Sequence, residues 1–360
     1  MNMVKRVGIL TSGGDCPGLN ATIRAIAKSI HHIFKNEIEI IGILDGYHGL
    51  IHGKYKKITE NDFSDILTLG GTILGTKRTP FKLMKVIEED NIDKISEMKK
   101  NYNNMKLDCL FCLGGNGTHK TANLLSEEGL NIITLPKTID NDIWGTDVSF
   151  GFHTAIDIAT DVIDKAHTTA KSHKRIIVVE LMGNKSGWLT LYSGIAGGAD
   201  VILIPENPYN INNILYHLNK RFKNGKNYSI IAIAEGSYSI SESNMKKKKR
   251  MELRRKLGEK NATNILAKEI EKLTGFETRT IVPGHIQRGG CPCAYDRILA
   301  TQFGSYAATL AKNEQYGLAV AMVDGKITSN PIKKVAGKSK LVTLDCEVIK
   351  TAKQMEICLG

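Results

Sequence analysis

Apolar residues fall along this chain in short continuous runs, and the stretches between them carry apolar positions at helical spacing; this is the pattern of buried parallel strands alternating with amphipathic helices. In the first half, Val4–Leu10, Ile38–Leu44, the run 107–113 and Ile132–Leu135 read as strands. A helix to about His32 follows the first, a polar helical stretch lies near 88–104, and Thr118 is placed to start another helix. Ala155, Ile158, Ala159, Val162, Ile163 and Ala166 then recur at the spacing of one long amphipathic helix. A second series follows, with strands at Arg175–Leu181, Val201–Ile204 and Ser229–Ala234 and helices near 186–196 and 212–223. A helix near 295–313, a strand at Ala319–Val323 and a helix near 346–357 complete it. Strand-then-helix alternation through both halves predicts the α/β class, with two doubly wound, mostly parallel lobes of three αβα layers. No solenoid repeat or low-complexity linker interrupts it.

Length agrees, because 360 residues exceed what one core commonly serves. With 42% hydrophobic and 24% charged residues the composition is that of a water-soluble globular protein, and no apolar run approaches a membrane span. The N-terminus runs from two basic residues into a strand-like segment without a signal-peptide cleavage pattern, so a cytoplasmic protein is expected. Seven cysteines are scattered at 16, 109, 112, 291, 293, 346 and 358. Cys109 and Cys112 sit inside a strand-like run, where buried thiols are the expectation rather than a metal or redox pair; Cys291 and Cys293 lack a second pair at zinc-finger spacing. The formal charge of +12 raises nucleic acid as a partner. The densest basic run, 246–256, has no interleaved aromatics, so a solvated loop and helix start is expected there, and an anionic phosphorylated substrate accounts for part of the charge.

Candidate chemistry gathers at strand ends. Pro136-Lys137-Thr138-Ile139-Asp140-Asn141-Asp142 follows the strand 132–135, where ligands bind in open α/β sheets. Two carboxylates two residues apart beside a lysine and a hydroxyl suit phosphoryl transfer, although Asp, Asn and Pro are also ordinary turn residues. Glycine turns at 11–20 and 114–118 follow two other strands and let backbone N–H groups approach phosphate. The segment 70–80 adds Lys77 and Arg78 among glycines; Glu235 ends a strand; and Arg279, His285 and Arg288 group three potential cations for a phosphate monoester.

In order, T-S-G-G-D-x-P-G-L-N-A at 11–21, L-G-T-x-R at 74–78, G-G-x-G-T at 114–118, P-K-T-I-D-N-D at 136–142, M-G at 182–183, E-G at 235–236 and G-H-I-Q-R-G-G at 284–290 closely resemble the 6-phosphofructokinases, from about residue 4 to about 345. The resemblance implies a phosphofructokinase-like fold in which 1–137 plus about 251–304 form a nucleotide-binding lobe, 138–250 plus about 305–345 a sugar-phosphate-binding lobe, and 346–360 a C-terminal helix. It implies transfer of the ATP γ-phosphoryl group to the 1-hydroxyl of fructose 6-phosphate, giving fructose 1,6-bisphosphate in glycolysis. Asp140 is then the base, with Arg78, Lys137 and Thr138 at the reacting groups. Asp142 and Asn116 fall near Mg²⁺; Gly13, Gly14, Tyr47, Lys77, Arg78, Gly114, Gly115, Asn116, Gly117 and Thr118 fall at the nucleotide. The substrate side comprises Thr138, Asp140, Asp142, Met182, Gly183, Glu235, His285 and Arg288, with Arg175 and Arg279 reaching in from a neighbouring subunit; a homodimer or homotetramer follows, with no nucleic acid or membrane partner.

Three positions depart from the family pattern. Asn116 stands where an aspartate usually meets Mg²⁺, Asn184 where many members have an arginine, and Lys137 is the residue expected in pyrophosphate-dependent members. Gly117, where pyrophosphate-restricted members commonly carry an aspartate, leaves room for the α-phosphate of ATP and favours ATP as donor. The alternatives are a pyrophosphate-dependent phosphotransferase and, prompted by Asn116 and Asn184, a catalytically weak nucleotide-sensing paralogue.

Overall fold

The structure is a computed structural model and describes residues 6–35, 37–87, 92–256, 258 and 261–360. In chain order its strands are β1 (Arg6–Ser12), β2 (Glu39–Ile43), β3 (Tyr55–Ile58), β4 (Cys109–Gly114), β5 (Ile132–Pro136), β6 (Ile176–Leu181), β7 (Val201–Leu203), β8 (Ser229–Ala234), β9 (Thr278–Ile281), β10 (Leu318–Val323) and β11 (Lys326–Pro331). The helices used below are α1 (Leu19–Ile33), α2 (Asn116–Glu127), α3 (Phe152–His173), α4 (Trp188–Ala196), α5 (Lys247–Lys256), α6 (Ala262–Thr274) and α7 (Ala294–Lys312).

Two compact units result: residues 1–154 with 288–340, and 155–287 with 341–360. The first is built on a seven-stranded sheet in the order β11-β10-β5-β4-β1-β2-β3, parallel through its centre, with antiparallel pairs β2–β3 and β10–β11 at its edges. The second holds a parallel four-stranded sheet, β7-β8-β6-β9. Central strands are apolar on both faces because helices cover both faces. β4 and β8 are buried at every position. In β6, Ile177, Val179 and Leu181 join one apolar cluster and Ile176 and Val178 another, as a period of two requires. Cys109 and Cys112 are both buried in β4 without a disulfide; burial pushes the Cys112 thiol up to about 12 and Cys109 well above its ordinary range, so neither is a nucleophile.

Strand pairing draws the domain boundaries away from those expected. The segment 251–287 belongs to the second unit, since β9 pairs with β6 and α6 buries Leu266 and Ile270 in that unit's core. Residues 305–340 belong to the first, because β10 extends the sheet beside β5. The C-terminal helix Glu347–Gln354 packs Ile349 into the second unit's core. The expected first strand begins at Arg6 and runs on to Ser12, while Val4 and Lys5 lie outside the described residues. Likewise the helix expected near 88–104 is described from Lys94 to Asn104, and 88–91 lie outside. Among the described residues no helix is long and apolar enough to cross a membrane.

Candidate active site

In the first unit β1, β4 and β5 run parallel with Ser12, Gly114 and Pro136 near one end, so the three loops that follow them emerge side by side. At the β1 turn Gly13 takes φ 89°, a left-handed value that favours glycine. The segment 69–76 is bound onto this turn. Buried Asn20 donates to the carbonyls of Leu69 and Gly70 (3.1 Å each) and accepts from Ile73 N (2.8 Å); Thr11 Oγ1 donates to Gly75 O (2.8 Å) and Thr76 Oγ1 to Gly13 O (2.7 Å). These bonds leave Lys77 and Arg78 exposed just beyond the clamped segment.

At the β4 turn the chain passes through Gly115 into α2, whose first residues are Asn116, Gly117 and Thr118. Gly114 lies so close to Thr118 that a Cβ there would meet Thr118 Oγ1 at 2.1 Å, whereas a Cβ on Gly117 meets nothing within 4 Å. Tyr47 does not join a nucleotide surface. It is 1% exposed in the hydrophobic core, and its hydroxyl donates to Thr118 O (2.9 Å), supporting the turn from inside. His119, fully buried, bonds Gly115 O twice, through its backbone N–H (3.1 Å) and through Nδ1 (3.0 Å).

Burial holds His119 down at about 4 against an ordinary 6.5. The unfolded chain therefore takes up a proton that the folded chain refuses between these values, so this contribution to stability is complete above pH 6.5 and is lost as pH falls toward 4. In urea unfolding the parent should lose about 2 kcal/mol more than His119→Gln between pH 7 and 4.5. Parallel pH curves for the two proteins would remove His119 from the titration.

After β5 the loop is braced at each residue. Lys137 is 3% exposed, its N–H bonds Gly114 O (3.1 Å) and its Nζ donates to Gly14 O, tying the third strand end to the first. Burial pulls its pKa below the ordinary lysine value; Arg288 adds to this, while Asp140 and Asp15 oppose it. Thr138 Oγ1 accepts from Asp140 N (3.1 Å), and Asn141, at φ 51°, accepts from Ser149 N on Oδ1 (3.0 Å). That local turn leaves Asp140 partly exposed between Ile139 and Asn141, which are buried.

Asp142 is linked to the β4 turn. Asn116 Nδ2 donates to its Oδ2 (2.8 Å) and to its main-chain O (3.2 Å), while Asn116 Oδ1 is buried without a hydrogen-bond partner among the described residues. Burial raises the Asp142 pKa; the Asn116 bond and the charges of Lys340 and Lys137 oppose this. One carboxylate and one unspent amide oxygen on adjacent loops are hard oxygen donors that fit Mg²⁺, an ion that draws most of its ligands from water and phosphate. Among the described residues no group of three or more His, Cys, Asp or Glu side chains could hold a metal. Two residues not anticipated support the Asn116 and Asp142 pair: Ser339 Oγ lies 3.3 Å from Asn116 Nδ2, and Lys340 bonds Asp142 O through its N–H (2.9 Å) and the carbonyls of Thr146 and Asp147 through Nζ (2.9 and 2.6 Å). Arg288 also makes its contacts in this unit, with Nη1 donating to Asp15 O (3.2 Å).

In the second unit Met182, Gly183 and Glu235 follow β6 and β8 at the carboxyl end of the sheet. Glu235 Oε1 accepts from Asn184 N (2.8 Å). Fully buried Gln287 accepts from Met182 N (3.2 Å) and donates to Gly284 O (3.0 Å), so the loop bearing exposed His285 is fastened beside Met182. A cavity of about 810 Å³ lies here, lined by Asn184, Lys185, Glu206, Glu235, Arg250 and Arg254 among others. The basic run thus forms a pocket wall: Arg254 is buried against Glu242 (2.9 Å), and the Arg250 guanidinium stacks on Tyr238 at 3.9 Å. Arg175 precedes β6 and Arg279 lies early in β9, at the opposite end of the sheet from Glu235; both pair with Glu277.

The chain matches the model of the family described as phosphofructokinase over residues 6–311. It is 51% identical to an ATP-dependent 6-phosphofructokinase of Spirochaeta thermophila, over 98% of this chain and 97% of that protein. To ATP-dependent 6-phosphofructokinase 3 of Bacteroides thetaiotaomicron it is 48% identical, over 99% of this chain and all of that one. Among solved structures it superposes on phosphofructokinase from Pichia pastoris in the T-state with a TM-score of 0.79 and 30% identity, covering 93% of this chain and 36% of that longer one. The fold is shared as well by a pyrophosphate-dependent phosphofructokinase of Marinobacter aquaeolei, with a TM-score of 0.79 and 18% identity, over 99% of this chain and 92% of that one.

Proposed function

The chain belongs to the phosphofructokinase family, and from that premise we infer that it is an ATP-dependent 6-phosphofructokinase, moving the γ-phosphoryl group of ATP to the 1-hydroxyl of fructose 6-phosphate. The observation that carries the chemistry is the convergence of Lys137, Asp140 and Asp142 at the end of β5 with the β1 and β4 glycine turns. Asp140 takes the proton of the 1-hydroxyl as that oxygen bonds to the γ-phosphorus; the bond from phosphorus to the β–γ bridging oxygen breaks, and its electron pair leaves with ADP. Thr138 orients the acceptor hydroxyl beside Asp140. Lys137 and Arg78 meet the charge of the phosphoryl group, which needs positioning and neutralisation more than covalent help. Mg²⁺, when bound by Asp142 and Asn116 Oδ1, supplies further neutralisation of the donor's phosphate oxygens.

On the acceptor side, Glu235, Met182 and Gly183 hold the sugar and His285 takes its 6-phosphate. Arg175 and Arg279 serve the same phosphate from a second copy of the chain, which accords with their place at the far end of their own sheet. A homo-oligomer is therefore the working form. A cytoplasmic setting accords with seven cysteines that form no disulfide.

Gly117 supports ATP over pyrophosphate, since the space beside it is open. In a coupled assay with fructose 6-phosphate and Mg²⁺, ATP should sustain faster turnover than pyrophosphate. Gly117→Asp should raise the KM for ATP on the order of tenfold or more through a close like-charge contact, and that for pyrophosphate much less. Faster turnover of the parent with pyrophosphate would overturn the donor assignment, and no turnover with either donor would overturn the enzyme itself.

A further inference from the structure

We propose that Arg250 is a further acceptor-side binding residue: from the opening turn of α5 its guanidinium takes an anionic oxygen of the phosphorylated sugar in the cavity beside Glu235. This rests on the kinase reading above and adds to it a residue outside the motifs that carry the resemblance.

The cavity, at about 810 Å³, is of ordinary size for a small-molecule site, and every residue lining it belongs to the second compact unit. Most of its charged walls are already engaged. Arg254, buried, gives Nε and Nη2 to Glu242 (2.9 Å each) and Nη2 also to Ser237 O (3.2 Å), which fastens α5 to the turn after β8. Glu206 Oε1 accepts from the backbone of Gly187 and Val342 (2.9 Å each), Glu180 accepts from Thr263 Oγ1, and Glu235 Oε1 accepts from Asn184 N (2.8 Å). Asn184, on the turn after β6, is neutral, and Lys185 beside it is exposed.

Arg250 differs from these groups. It lies four residues before Arg254, so the anchored helix carries both side chains on one face. Its own contact is the Tyr238 ring, whose centroid is 3.9 Å from the guanidinium carbon. A stacked guanidinium keeps its N–H groups, which lie in its plane, for another partner. Among the described residues nothing takes a hydrogen bond or ion pair from them. Glu242 feels the Arg250 charge, yet its oxygens are held by Arg254 and by Ser239 N (3.2 Å). The surroundings also favour an anion: Arg250 follows Lys248 and Lys249 in the first turn of α5, where the helix dipole disfavours cations, and that turn carries no acid. A sugar phosphate matches what the walls still offer, with hydroxyls for the Glu235 carboxylate and an anionic oxygen for Arg250.

The test measures fructose 6-phosphate binding by calorimetry without nucleotide, together with kcat, both KM values and the thermal midpoint, in the parent, Arg250→Gln, Arg250→Lys and Tyr238→Leu. Arg250→Gln should weaken fructose 6-phosphate and raise its KM about tenfold, while kcat and the KM for ATP stay within about threefold and the midpoint holds. Arg250→Lys should recover part of the affinity, because the charge remains and only the planar fork is lost. Tyr238→Leu keeps the arginine and removes the ring under it; it should weaken fructose 6-phosphate about fivefold, and it decides the question if the glutamine variant fails to fold. Fructose 6-phosphate affinity within about threefold of the parent in Arg250→Gln, or unchanged in Tyr238→Leu where that variant decides, would overturn the assignment. Equal rises in the two KM values, or a lowered midpoint with unchanged affinity, would reduce Arg250 to a support of the wall and overturn it too. Failure of the kinase reading shows separately, as a parent that binds fructose 6-phosphate without turning it over; a parent that does not bind it overturns both.

Discussion

Replacing Asp140 with asparagine should lower kcat by on the order of 10²–10⁴-fold while fructose 6-phosphate still binds within about threefold of its parent affinity. The amide keeps the size of the side chain but cannot take a proton. The turn around it should survive, because its bonds come from neighbours: Thr138 Oγ1 accepts from the backbone of residue 140, and Asn141 and Ser149 hold the next position. Steady-state kinetics beside equilibrium binding separate the two effects. Activity within tenfold of the parent would end the assignment of Asp140 as base.

Lys137→Met should lower kcat about 10²–10³-fold, the loss seen when one preorganised donor to a transition-state charge is removed, without lowering the thermal midpoint. Lys137 is 3% exposed and its charge is held against desolvation, so a hydrocarbon chain of similar length removes a burial cost along with the contact to Gly14 O. A structural lysine would behave the other way, with the melting temperature falling and kcat holding. That second result would remove Lys137 from the chemistry.

The parallel centre of both sheets was legible in the sequence because strands covered on both faces leave unbroken apolar runs, as in Ile132–Leu135 and Ser229–Ala234. The edge strands were not: β3 reads Tyr-Lys-Lys-Ile, and β11 mixes Lys, Thr, Ser and Asn, as partly solvated strands do. Domain limits also escaped, since whether β9 joins β6 or another strand depends on pairing across about a hundred residues that no local pattern records. The glycine turns and the acidic loop were readable because each is a short segment fixed by its own strand end. Tyr47 shows the limit of that logic. It follows a glycine turn, yet its ring enters the core and its hydroxyl reaches Thr118 O from below. Asn20 and Gln287 lie inside motifs that were read, but that each fastens a second loop depends on contacts 49–53 and 105 positions away.

Glu277 holds Arg175 and Arg279 together at the amino end of β6 and β9. If a second copy's sugar phosphate is to claim those arginines, it must compete with this carboxylate. In the proposed homo-oligomer, occupancy of one protomer and its association with the next would form a single thermodynamic cycle: the factor by which association raises substrate affinity is the factor by which substrate strengthens association.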